Sequence, residues 1–170
     1  EKIHGLLEFK KVDFSYKGSE QAVLSDISFI AYPGQTTAII GGTGSGKTTL
    51  LNLIPRLYDV TGGAITIDGI DIRDLPQHEL REYIGYVPQK ASLFSGTIKS
   101  NVAYGRPSAS LTEITEAINT AQAAEFINDL ADGLDSAIAQ AGNNVSGGQK
   151  QRLAIARALV KKPPIFLFDD

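Results

Sequence analysis

The chain has 170 residues, 42% hydrophobic and 21% charged, a composition ordinary for a soluble globular domain and unlike that of disordered or fibrous chains. A net charge of −3 argues against a nucleic-acid surface, no apolar run approaches the ~18 residues of a membrane-spanning helix, and the lack of cysteine excludes a disulfide framework or a thiolate metal site. Methionine is absent as well, so Glu1 reads as an internal cut in a longer protein or as a processed start.

In chain order, Leu7 to Tyr16 alternates in polarity, but the phase shifts at Lys10-Lys11. Leu7 and Phe9 share one face before the shift, and Val12, Phe14 and Tyr16 share one after it, which predicts a strand with a bulge at the lysine pair. Val23-Leu24 and Ile27 to Ala31 read as further strands, making an N-terminal β layer. After the turn at Pro33-Gly34, Thr36 to Ile40 reads as a buried strand. It feeds Gly41-Gly42-Thr43-Gly44-Ser45-Gly46-Lys47-Thr48-Thr49, which matches the G-x-x-x-x-G-K-[ST] pattern of a phosphate-cradling loop. Glycines there let consecutive N–H groups converge on an anion. Lys47 would reach the β/γ-phosphates and the Thr48 hydroxyl would ligate Mg²⁺. A helix follows, and Pro55 should end or kink it.

Ala64 to Ile67, Asp68-Gly69 and Ile70 to Ile72 read as a hairpin, since Asp-Gly suits a type I′ turn. Pro76 sits where a first helical residue would, before a short helix through about Tyr83. Ile84 to Val87 is a short core strand ending at Pro88-Gln89. The next block is helical. Ser110 and Glu113 form a capping box, with Ile114, Ala117, Ile118 and Ala121 on one face, and a second helix runs from Ala123 to Leu130. Ser146 and Gln149 form another box, opening a helix that Pro163-Pro164 stops. Gly147 and Gly148 at its start each cost about 1 kcal/mol relative to alanine, which points to use of the bare backbone as an anion site, although a well-capped helix would read the same. Ile165 to Phe168 is a continuous apolar run, predicting a strand buried on both faces, with Asp169-Asp170 at its carboxyl end. Asp169 is placed to serve a magnesium–nucleotide site.

Ser146-Gly147-Gly148-Gln149 followed by Lys-Gln-Arg-Leu-Ala-Ile-Ala-Arg-Ala-Leu resembles the signature motif of ATP-binding cassette (ABC) proteins. Tyr86-Val87-Pro88-Gln89 with Leu93-Phe94-Ser95-Gly96-Thr97-Ile98 resembles the glutamine loop of the exporter branch, and the resemblance runs from Phe14 to Asp170. It implies an α/β fold: a P-loop NTPase core with an N-terminal antiparallel β layer and a helical insert carrying the signature, truncated after the Walker B strand that ends at Asp169. Residues 1–170 would be one nucleotide-binding domain, incomplete at its C-terminus, with a helical subdomain over residues 90–150 or so.

The resemblance also assigns roles. ATP and Mg²⁺ are the implied cofactors, held by Gly41, Gly42, Thr43, Gly44, Ser45, Gly46, Lys47, Thr48 and Thr49, with Thr48, Gln89 and Asp169 around the metal. Tyr16 would stack on adenine, though it could equally be a strand-end core residue. Gln89 would sense Mg²⁺ and the γ-phosphate and face a transmembrane partner. Ser146, Gly147, Gly148 and Gln149 would contact ATP held on a second cassette, identical or not, so that ATP drives dimerisation. Transport would follow at the cytoplasmic face of a membrane, with no nucleic-acid partner. The catalytic set would be Lys47, Gln89 and Asp170.

Three departures stand out. Asp170 occupies a position that is usually glutamate, and its carboxylate is pulled back by over ~1 Å, a misplacement that can cost ~10²-fold in rate. This resembles the degenerate site of asymmetric exporters. Gln140 stands where many exporters have an acidic residue. The histidine switch is missing from the sequence, and His4 and His78 read as ordinary surface or strand residues. The alternatives are a nucleotide-gated half with little turnover and a soluble ABC ATPase outside transport.

Overall fold

The computed structural model describes Lys2 to Asp169 and divides into two compact units: residues up to Ile84 together with Asp169, and Gly85 to Phe168. The first unit is built on a four-stranded antiparallel sheet, ordered β2-β1-β3-β4. β1 is Leu7–Phe14 and β2 is Leu24–Ala31, a single strand where the sequence suggested two. The lysine-pair bulge is present. Between Phe9↔Phe29 and Val12↔Ile27, β1 spends one residue more than its partner, and Lys11 takes φ 47°. The same excess faces β3 (Gly62–Ile67), where a Cβ on Gly63 would lie 2.2 Å from the Lys11 carbonyl oxygen, so only glycine fits opposite the bulge.

The helix α1 (Lys47–Leu53) buries Leu50 and Leu53 in this unit. Between β3 and β4 (Ile70–Asp71), Asp68 and Gly69 have φ of 50° and 83°, both left-handed as a type I′ turn requires. The Asp68 carboxylate also accepts backbone N–H bonds from His4 (2.5 Å), Gly5 (3.1 Å) and Leu6 (2.7 Å). Burial opposes its ionisation, but these donors outweigh that and hold the carboxyl below its ordinary range. Pro76 is the residue before α2 (Gln77–Glu82), not its first residue, because its ψ of 135° is extended.

The strand β5 (Ile84–Val87), which enters the second unit at Gly85, pairs with β8 (Ile165–Phe168). The strand β6 (Gly96–Thr97) pairs with β7 (Ala137–Ile138). Four helices complete it: α3 (Ile98–Ala103), α4 (Leu111–Thr120), α5 (Ala124–Asn128) and α6 (Gly147–Val160). The periodic face of α4 is buried as expected, and Ile114 and Ile118 join Ile98, Val102 and Leu153 in one core. The helix expected over Ala123–Leu130 is shorter, closing at Asn128.

Two strand expectations need correction. Thr36 to Ile40 forms no ladder and is exposed, with Ile40 at 94%. An apolar run becomes a strand only where neighbouring N–H and C=O groups meet it, and among the described residues none does. The strand β8 alternates: Ile165 and Leu167 are buried, while Phe166 and Phe168 are exposed, so among the described residues only one of its two faces is covered. No helix among the described residues is long and apolar enough to cross a membrane.

Candidate functional site

The phosphate-loop pattern closes on α1 through Gly46, which precedes the helix at φ 94° and offers it no side-chain cap. A β-carbon there would meet Leu24 at 3.0 Å, so both the backbone conformation and the packing demand glycine. The Lys47 ammonium folds back over the loop, donating to the carbonyl oxygens of Gly41 (2.7 Å) and Gly42 (2.9 Å). One residue on, the Thr48 hydroxyl donates to Asp169 Oδ1 at 3.1 Å across 121 residues of sequence. Asp169 is buried, at 6% exposure. A cation of the magnesium type takes hard oxygen ligands from one or two carboxylates and completes its shell with water and phosphate. Thr48 and Asp169 fit that pattern. No cluster of three or more His, Cys, Asp or Glu suited to a metal exists among the described residues.

Tyr16 follows β1 and is 38% exposed. Its hydroxyl shares a 2.8 Å hydrogen bond with Thr49 Oγ1 on α1. Phe14 meets the ring at 4.9 Å and 83°, and Tyr58 at 5.2 Å and 90°, both in edge geometry. Nothing in the local sequence pattern tied Tyr58 or Thr49 to Tyr16; the one available signal was an aromatic residue, Tyr58, just beyond the loop helix. The first unit therefore gathers Tyr16, Lys47, Thr48, Thr49 and Asp169 in a connected set.

Gln89 and Ser146–Gln149 belong to the second unit. Gln89 is exposed in a bend after β5. The second box forms as expected: Ser146 Oγ accepts from the Gln149 N–H (3.2 Å) and Gln149 Oε1 accepts from the Ser146 N–H (2.9 Å). Apart from the adjoining residues and the helix's own backbone, no described atom lies within 4 Å of where a Cβ would sit on Gly147 or Gly148. Farther along α6, Arg157 donates to the carbonyl oxygens of Ser92 (3.0 Å) and Asn101 (2.9 Å) and to the Asn101 side chain (2.9 Å). Its guanidinium lies over the exposed rings of Phe94 (5.0 Å) and Tyr104 (5.9 Å). Burial lowers its pKa, but a guanidinium stays charged. Sequence reading missed this cluster, since Asn101 and Arg157 look like ordinary helix residues. Asp170 lies outside the described residues.

The family described as ABC transporter matches residues 24–170, from β2 through the phosphate loop, Gln89 and the signature to the terminal aspartates. The chain belongs to the ABC transporter family. It is an α/β ATP-binding domain of the kind that hydrolyses ATP in these transporters. It is 51% identical over its whole length to an uncharacterized ABC transporter ATP-binding protein, YfiB, of Bacillus subtilis, covering 30% of that protein. It is 46% identical to an ATP-dependent lipid A-core flippase of Chromobacterium violaceum, with 98% of this chain and 28% of the flippase covered. Among solved structures, a bacterial Atm1-family ABC exporter with ATP bound superposes with a TM-score of 0.92 at 44% identity, covering 97% of this chain and 29% of that one. The chain thus spans about a third of the length of these relatives.

Proposed function

We propose that this domain binds Mg-ATP and powers export through transmembrane domains, closing with a second cassette over the nucleotide. The observation that carries the reading is the Thr48–Asp169 hydrogen bond one residue after Lys47, whose ammonium lies over the loop; a cation, a hydroxyl and a carboxylate are the groups that a phosphate chain and its metal call for. Gly41, Gly42, Thr43, Gly44, Ser45 and Gly46 present backbone N–H groups to the phosphates, and Tyr16 stacks on the base. Lys47 neutralises charge on the β/γ-phosphates, and Thr48 and Asp169 hold the metal. Mg²⁺ would supply charge neutralisation during phosphoryl transfer.

From the opposite cassette, Ser146, Gly147, Gly148 and Gln149 complete the γ-phosphate contacts. The open surface at Gly147 and Gly148 supports this role, since a phosphate can approach that backbone closely. The exposed Phe94 and Tyr104 rings, with Gln89 on the same unit, suit the transmembrane partner, at the cytoplasmic face of the membrane. The helical subdomain of the cassette takes in residues 90–150 or so. Asp170 activates the attacking water poorly, because its carboxylate is one methylene short, so the site binds ATP and hydrolyses it slowly. Asp170→Glu in the full-length transporter should raise single-turnover hydrolysis at this site by about 10²-fold. An unchanged rate would overturn the degenerate-site reading and leave ATP binding standing.

A further inference from the structure

Tyr16 is restrained from two sides, by Tyr58, which belongs to neither the phosphate loop nor the signature, and by Thr49, the last residue of the phosphate-loop stretch. We infer that Tyr58 and Thr49 are positioning residues that fix the ring of Tyr16 as a preformed platform for the nucleotide base, Tyr58 by edge-on ring packing and Thr49 through its hydroxyl. The inference rests on the reading of Tyr16 as the base-stacking residue.

Tyr58 is itself held in place by the loop that carries it. Arg81 donates to the carbonyl oxygens of Pro55 (3.1 Å) and Arg56 (3.3 Å), clamping the chain just before it. The Arg56 guanidinium bonds Asp59 at 2.8 Å and reaches the carbonyl oxygens of Ile72, Arg73 and Leu75, each at 3.4 Å. That hydrogen bond holds the Asp59 carboxyl below its ordinary range. Tyr58 is therefore bracketed by two anchored neighbours, and its ring meets both Phe14 (5.7 Å) and Tyr16 (5.2 Å). A partly exposed tyrosine after a strand would otherwise sample several rotamers, and binding would have to freeze one of them. Here the ring is already ordered, so a base stacking on it does not bear that cost. Because Thr49 lies on α1 beside Thr48, the hydroxyl bond also ties the platform to the helix that carries the phosphate contacts.

The test is calorimetric titration of the full-length transporter with ATP and, separately, with Mg-tripolyphosphate, which has the phosphates and no base. Tyr58→Leu should weaken ATP binding roughly three- to tenfold, the range expected for one aromatic pair, and leave tripolyphosphate affinity unchanged. Tyr58→Phe, which keeps the ring, should stay within about twofold of the parent. Equal losses for both ligands in Tyr58→Leu would mark a merely structural role and overturn the inference. Tyr16→Ala separates the two layers of the argument. If it weakens ATP binding while Tyr58→Leu does not, the positioning role is wrong and base stacking stands; if Tyr16→Ala leaves ATP binding intact, base stacking itself fails and the inference with it. Should Tyr58→Leu not assemble, Tyr16→Phe removes only the bond to Thr49; a few-fold loss for ATP alone is expected, and parent-like affinity would overturn the preformed platform.

Discussion

The helix α6 begins with Ser146 and Gln149 each bonded to the other's backbone N–H, whereas α1 begins at a left-handed Gly46 that caps nothing. The helices α3 and α4 follow the α6 pattern, with boxes at Thr97–Ser100 and Ser110–Glu113. A side-chain cap satisfies an N–H that a ligand could otherwise use, so capping and anion binding compete for the same donors. The starts of α3, α4 and α6 are closed by their own side chains and that of α1 is left to the loop; α2 and α5 also lack a side-chain cap. The α6 start is a hybrid, boxed like α3 and α4 but carrying glycines where they carry Ile98-Lys99 and Leu111-Thr112. Two of its donors are bonded within the box, and the two glycines between them carry no side chain.

The contrast can be broken most severely at α1. Lys47→Ala should lower ATP turnover of the full-length transporter by about 100-fold or more, the scale of losing one charged stabiliser of the transferring group. Turnover within tenfold of the parent would remove α1 from the phosphate site. Next comes the pair Ser146→Ala and Ser110→Ala. Each should cost about 1 kcal/mol of local stability, seen as faster hydrogen exchange at the Gln149 and Glu113 amides respectively. Only Ser146→Ala should also slow turnover, by about tenfold for a lost hydrogen bond to a charged group. If Ser110→Ala slows it equally, the hybrid start has no special function.

The smallest effect concerns Glu113, the acid of the α4 box. Arg106 (2.5 Å), the Ser110 N–H (3.0 Å) and Lys162 (2.9 Å) hold its carboxyl well below the ordinary 4.5. A depressed carboxyl contributes stability that is fully present above the unfolded pKa and fades as pH falls towards the folded one. Glu113→Gln should therefore reduce exchange protection at the start of α4 at pH 7, and the difference should shrink below pH 4.5. A pH-independent difference would mean that shape, not charge, closes this helix.

Local signals carried far. The lysine-pair bulge, the Asp68-Gly69 turn and both expected boxes were legible because each rests on residues within a few positions of one another. The phosphate-loop motif likewise pointed to Thr48 and Asp169, which the fold brings within a hydrogen bond. What failed was burial that depends on neighbours. Thr36–Ile40 and Ile165–Phe168 both read as strands, but only the second finds a ladder partner among the described residues, and then on one edge. The Tyr16–Tyr58 contact and the Arg157–Asn101 hub were also illegible, since no spacing rule links residues separated by a loop or by most of a domain.

Asp68 invites a mechanical reading. The backbone N–H groups of His4, Gly5 and Leu6 all end on its carboxylate, and its own N–H donates to the Leu6 carbonyl oxygen at 2.8 Å. Tension applied at His4 would be shared by these bonds in parallel, so they would tend to yield together instead of peeling one by one. Asp68 sits in the β3–β4 turn, directly after Ile67, which pairs with Leu7. The force would pass through that turn into the sheet, making this single acid the rivet between the chain's first residues and the first unit.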